Sequence, residues 1–65
     1  MKIKLNGETY QTEALTVEGL LEELRITPGR VAVELNLEIV KKTDYQLRGL
    51  KEGDRVEIVN FVGGG

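Results

Sequence analysis

The sequence predicts an α+β fold: a mixed four- to five-stranded sheet with one helix packed on one face. Three features point to it. An alternating apolar–polar stretch running into Asn-Gly opens the chain, one leucine stripe at helical spacing follows, and further alternating stretches divided by turn residues complete it. Sixty-five residues make a single domain. At this size folding hides only about 60% of the surface that the unfolded chain exposes, so the core is small.

Met1, Ile3 and Leu5 alternate with Lys2 and Lys4, the pattern of a half-buried strand. Asn6-Gly7 then predicts a type I′ hairpin turn, which needs φ > 0 at both central positions. The return strand is expected from Glu8 to about Glu13, with Ile3 opposite Tyr10 on one face. Thr16 is placed to cap a helix, and Glu18 brings a negative charge to its first turn. Val17, Leu20, Leu21 and Leu24 form one stripe at i, i+3, i+4 and i+7, a core face rather than a binding site. Gly19 interrupts this helix at a cost of about 1 kcal/mol relative to alanine, so either the helix approaches the sheet closely there or the penalty is tolerated. Pro28-Gly29 is expected to end the helix.

Val31, Val33 and Leu35 mark a third strand, Asn36 a turn, and Leu37–Val40 a short extended piece. Lys41-Lys42 reads as solvated surface, while Tyr45 and Leu47 are expected to cover one edge of the core. A turn at Glu52-Gly53-Asp54 precedes the last strand, which begins at Arg55 with Val56 and Ile58 inward. Its parity leaves two outcomes. Either the strand ends or bulges near Asn60, or Val59 and Phe61 form an exposed apolar spot.

Composition narrows the chemistry. The chain has no cysteine and no histidine, which removes thiol nucleophiles, disulfides and the commonest general base and metal ligand. Its net charge is −2 with no basic stripe, so nothing suggests nucleic-acid binding. No apolar run approaches the ~20 residues of a membrane span, and the opening lacks a signal-peptide pattern, so a cytoplasmic protein is expected.

The remaining feature is Phe61-Val62-Gly63-Gly64-Gly65. At ordinary glycine usage, three in a row at one fixed place arise by chance roughly once in three thousand. Glycine lacks a Cβ, so Gly63 and Gly64 could thread a channel too narrow for side chains. They would deliver the α-carboxylate of Gly65, ionised at neutral pH, into another protein. A frayed terminus or a linker would also carry glycines. The carrier reading is favoured by the join, because Val56–Val62 runs into the glycines with no polar spacer. The organisation expected is a folded domain over 1–60 and a Gly-rich tail over 61–65.

A hairpin, helix and strand in this order form a crossover that places the first and last strands side by side and parallel, the β-grasp or ubiquitin-like fold. The residues also resemble the ThiS family of sulfur carriers in thiamine biosynthesis. The likeness runs through Met1–Asn6, Thr16-Val17 with Leu20, Leu21 and Leu24, Val31–Asn36, Gly53-Asp54 with Val56–Val59, and the Phe61–Gly65 ending. Only the ending is specific. The resemblance implies a carrier and not an enzyme, with no cofactor bound to it and no metal. An E1-like adenylyltransferase (ThiF), using ATP and Mg²⁺, would adenylate Gly65. Sulfur originating from a cysteine desulfurase would then replace AMP to leave a thiocarboxylate, which thiazole synthase (ThiG) would consume. Val59, Phe61 and Val62 are the expected partner-docking residues, Gly63 and Gly64 the threading ones, and the free protein is expected to be a monomer. Three alternatives remain. They are a MoaD-type carrier for molybdopterin, which is usually longer with proline before its tail, a lysine-conjugated ubiquitin-like modifier, and a β-grasp binding module with an incidental tail.

Overall fold

A computed structural model describes residues 1–61. The chain forms β1 (Lys2–Leu5), β2 (Glu8–Gln11), α1 (Val17–Glu23), β3 (Val31–Leu35), β4 (Glu38–Val40) and β5 (Arg55–Asn60), with short 3₁₀ turns at Pro28–Arg30 and Lys42–Asp44. The strands make one five-stranded sheet in the order β2-β1-β5-β3-β4, so the last strand is central. It runs parallel to β1 and antiparallel to β3. The mixed sheet and single helix agree with the β-grasp expectation.

The opening hairpin follows its turn chemistry. Asn6 and Gly7 have φ of 49° and 86°, and Ile3 lies opposite Tyr10. Thr16 caps α1, its hydroxyl accepting from the Gly19 N–H at 3.0 Å. One side of α1 buries Val17, Leu20 and Leu21 against Ile3, Val33 and Val56 of the sheet. All six are sealed from solvent. Each contributes about 1.5–3 kcal/mol of burial energy, and a domain of this size keeps only about 5–10 kcal/mol net. Truncating Leu20 or Leu21 to alanine, at about 2–5 kcal/mol, would remove much of that margin.

The helix ends earlier than Pro28-Gly29. Arg25 takes φ 59°, the Arg25 N–H donates to the Glu22 carbonyl, and the Ile26 N–H donates to the Leu21 carbonyl. This is a Schellman closure, in which the final carbonyls are satisfied by a chain reversal that usually recruits glycine. Arginine carries it here, which is why the composition gave no warning.

Leu47 does not cover the core; it is 82% exposed. The segment winds helically, with the Leu47 and Arg48 N–H groups both donating to the Asp44 carbonyl. Two residues in such a winding point to opposite sides. Tyr45 therefore turns in and is buried, Leu47 turns out, and Leu50 takes the inward place.

Candidate functional site

The end of β5 is where the sequence places the function. The strand continues through Asn60, and Phe61 still donates its N–H to the Arg30 carbonyl at 2.9 Å. Val56 is sealed in the core and Ile58 is half-buried beneath the helix side of the sheet. Val59 and Phe61 are 61% and 55% exposed. Both outcomes that parity allowed are met: β5 ends at Asn60, and Val59 and Phe61 form an exposed apolar spot. Val59 pairs with Ala32 of β3, and Ile39 of β4 is also exposed, opposite Glu34.

Phe61, Ala32 and Ile39 also line a groove of about 290 Å³ that reaches Tyr45, Lys41 and Lys42. The Tyr45 ring is buried, and burial pushes its hydroxyl above the ordinary tyrosine range. Lys41 and Lys42 are exposed, as their polar setting implied, but they border this groove rather than lie on a featureless surface. Val62, Gly63, Gly64 and Gly65 lie outside the described residues, so the threading and modification expectations rest on sequence.

Two side-chain clusters around β5 escaped the sequence reading. Asn36 donates to the Asp54 carboxylate at 3.0 Å and accepts from the Arg55 N–H at 2.9 Å, while Asp54 also accepts from the Lys51 N–H at 2.7 Å. Asn6 accepts from the Ile58 N–H at 2.7 Å and donates to the Ile58 carbonyl at 3.3 Å. Both asparagines sit at positive φ in hairpin turns. Sequence reasoning accounts for them as turn formers, and nothing in a sequence shows where a turn's side chain reaches across the sheet. Among the described residues no group of three or more His, Cys, Asp or Glu could hold a metal ion, and no helix is long and apolar enough to cross a membrane.

Sheet order, a single covering helix and a central final strand define a β-grasp domain of the ubiquitin-like class. Similarity to known proteins narrows this further. The ThiS family model matches residues 3–65. A thiazole synthase from Paramagnetospirillum magneticum is 50% identical over all of this chain, which spans only 20% of that protein's length. The sulfur carrier protein ThiS of Bacillus subtilis is 37% identical, with 97% of this chain and 98% of that one aligned. The crystal structure of a thiamine biosynthesis protein (ThiS) from Geobacter metallireducens superposes with a TM-score of 0.86 at 33% identity, covering both chains completely. The chain belongs to the ThiS family.

Proposed function

We propose that this chain is a sulfur carrier of thiamine biosynthesis, acted on by enzymes rather than being one. The observation that carries the reading is the family match, which extends through residue 65 and so includes the glycine ending. In the proposed cycle the Gly65 carboxylate attacks the α-phosphate of ATP on an E1-like adenylyltransferase (ThiF), expelling pyrophosphate and forming an acyl-adenylate. A carboxylate oxygen is a poor leaving group, and bonding it to AMP makes a good one. A persulfide sulfur originating from a cysteine desulfurase then attacks the acyl carbon, and AMP departs with the electron pair of the C–O bond. A thiol reductant, itself oxidised to a disulfide, cleaves the S–S bond of the resulting acyl disulfide. The thiocarboxylate that remains is the sulfur source for a thiazole synthase (ThiG).

The division of labour has a physical logic. Adenylation needs Mg²⁺ and cationic groups around the phosphates, and in this proposal the partner supplies them. This chain supplies a carbonyl carbon on a backbone narrow enough to enter, with Gly63 and Gly64 threading, and an apolar anchor beside it. Exposed Val59 and Phe61 fit that anchor, with Val62 continuing it, because buried aromatic residues dominate interface energies. A thiazole synthase partner is further supported by the relative of that name, which contains a segment similar to this entire chain. Because activation consumes ATP, the setting proposed is the cytoplasm.

Intact-mass measurement tests the reading. After incubation with ATP, Mg²⁺, the adenylyltransferase and a sulfur source, the protein should gain the difference between one sulfur and one oxygen, located at Gly65. An unchanged mass, where a known carrier of the family is converted in parallel, would argue for a binding module instead.

A further inference from the structure

We infer that Asn6 is a positioning residue for the proposed activation, fixing the direction in which β5 leaves the sheet toward Gly65. The inference rests on the carrier reading above. The parallel pairing of β1 with β5 is short: Lys4 lies against Arg55 and Leu5 against Val56, and the Asn6 N–H closes it on the Val56 carbonyl at 2.8 Å. There β1 ends, because Asn6 and Gly7 turn the chain back into β2. Beyond Val56, the next main-chain groups that face this flank belong to Ile58, and β1 has no residue left to meet them.

The Asn6 side chain meets them instead. A carboxamide has the same planar donor–acceptor pair as a peptide unit. Its Oδ1 takes the Ile58 N–H at 2.7 Å and its Nδ2 gives to the Ile58 carbonyl at 3.3 Å. One side chain thus lengthens the ladder by a rung after its own backbone has turned away. On the opposite flank, β3 holds the strand through Val31 against Asn60, and the Arg30 carbonyl holds Phe61. Ile58, beyond the last β1 pairing at Val56, is therefore held from both sides only because of Asn6, while Val59, Asn60 and Phe61 continue from it along β3. Without it, β5 would hang from β3 alone from just beyond Val56 onward, and the strand leading to Phe61 could swing about β3.

The residue type is determined twice over. The turn requires φ > 0, which glycine, asparagine and aspartate supply most readily. The rung requires both a donor and an acceptor. Glycine meets the first demand and neither part of the second, and aspartate lacks the donor for the Ile58 carbonyl. Asparagine alone among them meets both. Asn36 makes a useful contrast, since its carboxamide also binds β5 but at Arg55, the end remote from the exit.

The experiment compares Asn6→Gly, Asn6→Asp and Asn36→Gly with the wild-type chain. The readout is ATP–pyrophosphate exchange catalysed by the E1-like adenylyltransferase, together with melting temperature and N–H residual dipolar couplings of Val59, Asn60 and Phe61. Asn6→Gly should lower kcat for exchange by about ten-fold or more with KM nearly unchanged, since reacting groups held slightly out of place lose rate steeply while the docking surface persists. Asn6→Asp should fall between, and Asn36→Gly should melt lower yet keep the wild-type kcat. The dipolar couplings should change in Asn6→Gly and not in Asn36→Gly. Wild-type kcat in Asn6→Gly, or an equal loss in both glycine variants, overturns the inference. Should the wild-type chain itself support no exchange, the carrier reading fails, and the dipolar couplings still decide whether Asn6 aims the strand.

Discussion

The Glu23 carboxylate accepts a hydrogen bond from the Tyr10 hydroxyl at 2.7 Å, tying the last turn of α1 to the edge strand β2. The same carboxylate accepts from the Thr12 hydroxyl at 2.9 Å and the Glu13 N–H at 3.1 Å. Thr12 is buried and in turn accepts from the Ala14 N–H at 2.9 Å. The linker from hairpin to helix is thus organised around one acidic group. The bond from Tyr10, followed by those from Thr12 and the main chain, holds Glu23 below the ordinary carboxylate range, and the bond to Glu23 raises Tyr10 above the ordinary tyrosine range.

The sign of the pH dependence follows. A carboxyl group whose folded pKa is lowered stabilises the fold above its unfolded pKa and loses that contribution as pH falls through the folded value. Tyr10 is raised, so its contribution is present below the ordinary tyrosine pKa and disappears as pH rises past it. Glu23→Gln should melt below wild type at neutral pH, and the gap should close on acidification through the carboxylate range. Melting temperatures across that range check it. A constant gap would mean that charge at Glu23 is irrelevant.

Gly19→Ala should stabilise the chain by about 0.5–1 kcal/mol, the ordinary helix-interior difference between the two residues. A Cβ at Gly19 would meet the Thr16 Oγ1 at 3.4 Å and the Ala14 Cβ at 3.5 Å, both tolerable contacts. Its near neighbours belong to the capping segment and not to the sheet, so of the two explanations for this glycine, the tolerated penalty is the one that applies. Denaturant unfolding measures the gain, and a loss would reveal that the Thr16 cap cannot shift.

Leu37→Gly should also stabilise, by about 1 kcal/mol. Asn36 and Leu37 form the β3–β4 turn with φ of 53° and 72°, and leucine pays a steric penalty there that glycine avoids. Leu37 is 80% exposed, so its side chain contributes little burial in return. Unfolding of the variant beside wild type decides the sign.

Phe61→Ala should separate folding from partner engagement. With Phe61 55% exposed and its main-chain bond to Arg30 retained, stability should fall by about 1 kcal/mol or less. Affinity for the adenylyltransferase should fall by about ten-fold or more if Phe61 is an interface anchor. Calorimetric titration gives the affinity, and an unchanged value would remove Phe61 from the docking surface.

Amidating Gly65, or adding one alanine after it, should abolish adenylation while leaving the melting temperature unaltered. The amide cannot serve as the oxygen nucleophile, and the added residue shifts the reacting carbon by one position. Pyrophosphate release measures the loss. Full activity of the amidated protein would refute the role proposed for the carboxylate.

Alternation, helical spacing and glycine placement sufficed to anticipate the hairpin register at Ile3 and Tyr10, the Thr16 cap and the core stripe of α1, and they offered the exposure of Val59 and Phe61 as one of two outcomes. These are local properties: a period of two or 3.6 and a required φ are written into neighbouring residues. The Gly63–Gly65 ending is likewise visible as sequence, which is why a candidate site could be proposed from the residues alone. What needed the tertiary structure was every contact between residues distant in the chain. Asn6 reaching Ile58, Asn36 reaching Asp54, and Glu23 gathering Tyr10, Thr12 and Glu13 depend on which strands become neighbours. Burial at Tyr45 and Leu47 also waited for the fold, because both are apolar and only the winding after Asp44 decides which one turns inward. Local patterning determined the elements and the chemical ending of this chain. Sheet order alone decided which side chains hold the central strand that leads to it, since a hydrogen bond is specified by three-dimensional distance and not by separation along the chain.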